Sequence, residues 1–181
     1  VTNTSDAVYQ SVNVVGVAPH AGTGGVDVVT ISSGHVFVAE TPEPYRYDED
    51  GNMTNDGRWV YTWDGENRLI TVETDINKVG TAVPAVRLDY AYDYMGRRVS
   101  RKLYPWDKHA DTWATNAIEE NQFKYDGWNL VRDVTKKVKE SKVGKQGKKG
   151  VTEAKIEKFA VYTTNDYVWG LDLSGSLQGA G

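Results

Sequence analysis

Apolar and polar residues alternate over short runs along most of the chain, and the three-to-four spacing of an amphipathic helix is rare. Runs such as Val26-Asp27-Val28-Val29-Thr30-Ile31 and Gly34-His35-Val36-Phe37-Val38, bounded by Gly, Ser and Pro, predict strands. The pattern is that of an all-β chain. Residues 76–85 are expected as a surface loop, and residues 115–121 as a short helix within an insertion at 105–121.

The alternation is sharpest before five aspartates: Asp48, Asp64, Asp93, Asp126 and Asp172. Three residues ahead of each stands an aromatic (Tyr45, Tyr61, Tyr90, Phe123, Trp169), and one residue ahead stand Tyr47, Trp63, Tyr92 and Tyr125, with Leu171 breaking the series. A spacing of two puts both rings of a unit on one face of a strand. Three residues after the aspartate come Gly51, Asn67, Gly96, Asn129 and Gly175, the residue types that accept positive φ most readily. Two positions further on are Met53, Leu69, Arg98, Val131 and Leu177, apolar in four of the five units. The physics fits a hairpin: an aromatic strand enters, an aspartate caps a type I turn closed by a left-handed residue, and an aliphatic strand leaves. One hairpin is marginal in water, so the units are expected to pair into one twisted sheet.

The units Tyr45-Arg46-Tyr47-Asp48-Glu49-Asp50-Gly51-Asn52 and Tyr61-Thr62-Trp63-Asp64-Gly65-Glu66-Asn67-Arg68 resemble the YD repeats of bacterial RHS proteins. Tyr90-Ala91-Tyr92-Asp93-Tyr94-Met95-Gly96-Arg97 and Phe123-Lys124-Tyr125-Asp126-Gly127-Trp128-Asn129 extend the likeness. The stretch 167–181 is similar to the run that leads into the RHS repeat-associated core. The resemblance implies consecutive antiparallel YD-repeat hairpins in a spiralling β-sheet, part of a shell that encloses and delivers a C-terminal toxin. It implies a secreted or cell-surface bacterial protein whose partners are the rest of the parent chain and the enclosed toxin. The family's self-cleaving aspartyl motif is absent from these residues, so the resemblance implies no catalytic residue and no enzyme activity for this stretch.

Four regions follow. Residues 1–41 carry no YD unit and read as the end of a preceding β-rich domain, with Pro42-Glu43-Pro44 as the joint. Residues 42–134 hold the hairpins, with insertions at 76–85 and 105–121. Residues 135–158 form a Lys-rich, low-complexity hairpin extension or disordered loop, and 159–181 supply the last hairpin strand and the start of the core. The chain starts at Val1 without an initiator Met and stops in a Gly-rich run, which reads as a piece of something longer.

Composition narrows the classes. A net charge of -4 argues against a nucleic-acid binder, although residues 136–158 alone carry 9 Lys against 3 Glu. No stretch is long and apolar enough for a membrane helix. With Cys 0, thiolate metal sites and cysteine nucleophiles are excluded. Asp48-Glu49-Asp50-Gly51-Asn52 places oxygen ligands as calcium loops do, but Met53 and the lack of a bidentate Glu at the right distance favour a plain turn. His20, His35 and His109 lack ligand spacing. Ser174 misses the nucleophile-elbow pattern, since Gly170 lies four residues away. The expectation is no cofactor and no metal. The competing class is a carbohydrate-binding or adhesive module, its rings stacking on cell-surface glycans.

Overall fold

The computed structural model describes residues 3–4, 7–79, 83–146 and 152–169, with the side chains of 142–146 and 152–155 left aside. The chain is all-β and antiparallel, in two compact units.

The first unit comprises Val1–Val60 and Thr74–Pro84. It therefore takes in the Asp48 repeat, which the sequence groups with the later hairpins, and has no division at residue 41. Its hairpin pairs β1 (Val8–Ala18) with β2 (Val28–Val38) in unbroken register from Val8↔Val38 to Ala18↔Val28. Residues 28–31 of the first run and the run 34–38, read separately in the sequence, thus belong to one strand. Gly34 does not interrupt it, because glycine in an extended backbone still pairs, here with Val12.

Strands β3 (Arg46–Tyr47), β4 (Met53–Asn55) and β5 (Trp59–Trp63) follow as a meander. Asp56 turns the chain between β4 and β5, its Oδ1 accepting the amides of Arg58 at 2.7 Å and Trp59 at 2.6 Å. After β6 (Leu69–Thr74) comes α1 (Ile76–Val79), a single helical turn. Asp75 caps it by accepting the Asn77 amide at 3.1 Å and binds Asn55 Nδ2 at 3.3 Å. The expected surface loop at 76–85 is corrected here: Val79 and Val83, 5% and 3% exposed, are the buried apolar side chains among the described residues.

The second unit comprises Tyr61–Glu73 and Ala85–Gly181. Its remaining strands are β7 (Val86–Tyr92), β8 (Arg98–Asp107), β9 (Thr112–Trp113), β10 (Glu119–Asp126), β11 (Asn129–Gln146) and β12 (Thr152–Asp166). In space they run β12-β11-β10-β8-β7-β6-β5, with β9 paired to β8 off this path. Residues 119–121, expected at the end of a helix, begin β10 instead. Cross-strand partners override local propensity there: Glu119 meets Arg101 at 2.8 Å and Lys137 at 3.0 Å, and Asn121 bonds Arg101 at 2.8 Å and Thr135 at 2.6 Å. The Lys-rich stretch is a paired ribbon, its register running from Arg132↔Asp166 to Gln146↔Thr152. Residues 147–151 lie outside the described residues.

Among the described residues of this unit no helix covers the sheet, and no described side chain of the chain is fully buried. A domain normally hides one face of each layer against another. This sheet is held by ladders and by polar pairs, such as the buried Asp133 accepting from Asn165 Nδ2 at 2.8 Å.

Candidate functional site: aspartate turns joined by arginine clasps

Three of the repeat turns share one hydrogen-bond pattern. The amides of Gly51, Asn67 and Gly96 donate to the carbonyls of Asp48, Asp64 and Asp93 at 3.2, 3.0 and 3.0 Å, and the aspartate amides donate to the carbonyls of Asn52, Arg68 and Arg97. Gly51, Asn67 and Gly96 take φ of 85°, 57° and 77°, the left-handed end of a three-residue loop. Each carboxylate then caps its own turn. Oδ1 of Asp48 accepts the amides of Asp50 and Asn52, that of Asp64 those of Glu66 and Arg68, and that of Asp93 those of Met95 and Arg97, all at 2.8–3.1 Å. The Asp48 oxygens are thereby engaged by the turn, and no group of three potential metal ligands occurs among the described residues.

The second oxygen reveals a position that the sequence reading missed. Oδ2 accepts from the side chain four residues on: Asn52 at 3.1 Å, and Arg68 and Arg97 through Nε at 2.8 Å each. A second guanidinium nitrogen meets the same oxygen, at 2.8 Å for Arg68 and 2.7 Å for Arg97. The column reads Asn52, Arg68, Arg97, Leu130 and Ser176, so a recurring arginine was the available signal.

Each arginine also reaches the following unit. Arg68 Nη1 donates to the Asp93 carbonyl at 3.5 Å while its guanidinium lies 5.3 Å from the Tyr92 ring centroid. Arg97 donates to the Gly127 carbonyl and lies 5.2 Å from the Tyr125 ring centroid. The tyrosines answer: Tyr92 Oη donates to the Leu69 carbonyl at 2.8 Å and Tyr125 Oη to the Arg98 carbonyl at 2.9 Å. Charge-assisted bonds and cation–π contact thus couple neighbouring turns. Arg98, the charged residue in the otherwise apolar column, covers its own unit's ring, 4.3 Å from the Tyr90 centroid.

The repeat rings otherwise sit as pairs. Thr62, Ala91 and Lys124 are exposed between the half-buried pairs Tyr61/Trp63, Tyr90/Tyr92 and Phe123/Tyr125. Tyr45 and Tyr47 are both exposed. In three hairpins the return strand holds one extra residue, the register stepping over Thr54, Val99 and Val131.

The fourth turn departs from the expectation. Asp126 pairs with Asn129 across a two-residue loop, and the left-handed residue is Gly127, with φ of 55°, rather than Asn129. Glycine at the first loop position provides a tight hairpin turn without the three-residue loop that the Asp-to-Asn spacing suggests. Trp169 donates from Nε1 to the Leu130 carbonyl at 2.7 Å, the kind of contact that Tyr92 and Tyr125 make. It does so although it aligns three residues before Asp172 instead of one. Asp172 and Gly175 lie outside the described residues.

Partial burial pushes the carboxyls of Asp48, Asp64 and Asp93 up, but the hydrogen bonds from Asn52, Arg68 and Arg97 outweigh it and hold all three below the ordinary carboxylate value. Such groups bind protons less readily folded than unfolded. Their stabilisation is therefore complete above about pH 4 and is lost as the pH falls through the lowered folded values. Melting curves from pH 6 to 2 should show a smaller acid-side loss for Asp93→Asn, which keeps an acceptor for the turn amides, than for the wild type. Equal losses would remove Asp93 from the account. Tyr92→Phe and Tyr125→Phe should each cost about 0.5–1.5 kcal/mol in urea denaturation, since each strands a carbonyl acceptor while keeping the ring. No change in either would make the clasp ornamental.

On this unit a shallow cleft of about 480 Å³ lies across β7, β8 and β10, and a second, of about 320 Å³, is lined by Arg87, Asp89, Tyr104 and Trp113. Arg87 Nε binds Asp89 at 2.7 Å. His20 bonds the Gly25 carbonyl, and His35 stacks on Tyr9. Among the described residues no helix is long and apolar enough to cross a membrane.

No family model matches the chain. It is 39% identical over 61 residues to the tRNA nuclease WapA of Bacillus subtilis strain 168, and equally so to the tRNA3(Ser)-specific nuclease WapA of Bacillus spizizenii. The match takes in 34% of this chain and 2% of either nuclease, so the chain spans a small part of these relatives. A solved DUF3836 family protein from Parabacteroides distasonis aligns with a TM-score of 0.30 and 15% identity, over 66% of this chain and 90% of that one.

Proposed function

We propose that this chain is a non-catalytic length of β-sheet wall from a bacterial RHS-repeat protein, its YD hairpins building a spiralling shell around a C-terminal toxin. One observation carries the reading: the aspartate of each clasped turn is occupied within the hairpin, and its arginine reaches the next unit, so the recurrent polar residues serve continuation of the sheet. A sheet that no helix covers among the described residues of its unit, extended by repetition, suits a wall. The partial likeness to nucleases that act on tRNA supports a toxin as the enclosed partner, with the nuclease chemistry outside these residues. Secretion or surface display goes with this reading.

Cryo-electron microscopy of the parent protein tests it. The expected result is a closed sheet containing these hairpins with a further polypeptide segment inside, and an open or solid β-structure would overturn it. The isolated chain should neither cleave itself nor hydrolyse RNA, peptide or glycoside substrates. Reproducible turnover abolished by Asp93→Ala, with an unchanged melting temperature, would restore an enzymatic role. A second reading rests on the cleft beside Tyr104 and Trp113, where a ring and the Arg87–Asp89 pair could hold a sugar. Glycan-array binding lost in Trp113→Ala would favour that adhesive reading.

A further inference from the structure

Four aspartates are followed directly by glycine: Asp50, Asp56, Asp64 and Asp126. Such a step can close on itself, because a residue without a side chain lets its amide nitrogen approach the aspartyl Cγ. Closure needs a carboxyl free to turn onto the chain and an amide that is not held elsewhere. Three of the four steps lack one or the other. Both oxygens of Asp64 are engaged, Oδ1 by the amides of Glu66 and Arg68 and Oδ2 by Arg68 Nε at 2.8 Å. Asp56 Oδ1 holds the amides of Arg58 and Trp59, and the following Gly57 is buried so tightly that a Cβ there would stand 2.7 Å from that of Ala39. At Asp50 the nitrogen is held instead, since the Gly51 amide donates to the Asp48 carbonyl at 3.2 Å.

The fourth step is open on both counts. Asp126 is exposed, its carboxylate accepts no hydrogen bond among the described residues, and the Gly127 amide donates none. The two-residue loop explains this freedom: with Gly127 at φ of 55° the strands close directly from Asp126 to Asn129, and the turn needs no side-chain cap. We infer that Asp126-Gly127 is a modification site, at which the Gly127 nitrogen attacks the protonated Asp126 side-chain carboxyl to give a succinimide that reopens as isoaspartate. The step needs only water. The N–Cγ bond forms, the amide proton and the carboxyl hydroxyl leave together as water, and a water returns when the ring opens. Opening at Cγ restores aspartate. Opening at the main-chain carbonyl carbon leaves the chain running through Cβ and Cγ, with a free α-carboxylate. The Asp126 carbonyl is then lost from the pair with Asn129, and an extra carbon enters the backbone just before the Gly127 carbonyl that Arg97 holds.

Trypsin separates the steps: residues 125–132 contain Asp126, residues 59–68 contain Asp64, and residues 47–58 contain Asp50 and Asp56. The folded full chain is incubated at physiological temperature, digested, and labelled by a methyltransferase specific for isoaspartyl carboxylates. Over an unincubated control, 125–132 should take up several-fold more label per Asp-Gly step than either other peptide, with no change of mass before labelling. In guanidinium, where no fold shields the other three steps, that excess should vanish. Asp126→Glu keeps the charge but would need a larger ring, and should leave 125–132 unlabelled. Equal labelling per step in the folded chain, an excess at another step, an excess at 125–132 that survives in guanidinium, or labelling of 125–132 that persists in Asp126→Glu overturns the inference, as does the absence of label from the incubated wild type.

Discussion

Val79→Asp is expected to cost about 3–5 kcal/mol, the penalty for an uncompensated charge in a buried position. Total stabilities are commonly only about 5–15 kcal/mol, so this change should remove a large share of the first unit's stability. The size follows from how little is buried: Val79 and Val83 are the buried apolar residues among those described, and α1 exists to carry one of them inward. Val79→Ala should cost less, about 1–3 kcal/mol, as lost packing alone. Ile76, in the same helical turn but 39% exposed, is the control, and Ile76→Asp should stay within about 0.5 kcal/mol. Urea denaturation of the three variants checks the order, and comparable losses for Ile76→Asp and Val79→Asp would contradict it.

Gly96→Val should cost about 1–3 kcal/mol, because a β-branched side chain is strained at φ of 77° whatever space surrounds it. Space is not the obstacle: a Cβ at Gly96 would meet nothing within 4 Å. Gly96→Asn should be milder, as Asn67 holds the same position in its own turn. The fourth turn sharpens the test. Gly127→Val should be as harmful as Gly96→Val, while Asn129→Val, at the first position of β11, should change stability by no more than about 0.5 kcal/mol. The reverse ranking at 127 and 129 would restore the three-residue loop there.

What could be read from the residues alone was what short-range physics determines. The aspartate caps, the left-handed closures at Gly51, Asn67 and Gly96, and the shared face of the paired rings are local, and each is written in a fixed spacing. The turn at Asp126 was misread because Asp-Gly and the downstream Asn compete to set the loop, and pairing across β10 and β11 decides between them. Residues 115–121 and 76–85 were misread for a related reason: Glu119 and Val79 owe their settings to partners distant in sequence. The clasp lay half visible. Arg68 and Arg97 recur at one offset, but their second role, on the next unit's tyrosine and carbonyl, needs the sheet to bring the turns side by side.

The arginine half of the clasp runs in one direction, and the tyrosine half answers in the other. Arg68 serves the unit of Tyr92, and Arg97 serves that of Tyr125, but Leu130 occupies the corresponding place after Asp126. Because each link involves only adjacent units, the energetics of such an array are those of nearest neighbours. Repeating a unit that carries such an arginine extends the array by a join of the same kind. A turn with leucine at that place receives an arginine and passes no arginine on, while its Leu130 carbonyl still accepts from Trp169. At that turn arginine-clasped pairing gives way to the long ladder of the β11–β12 ribbon.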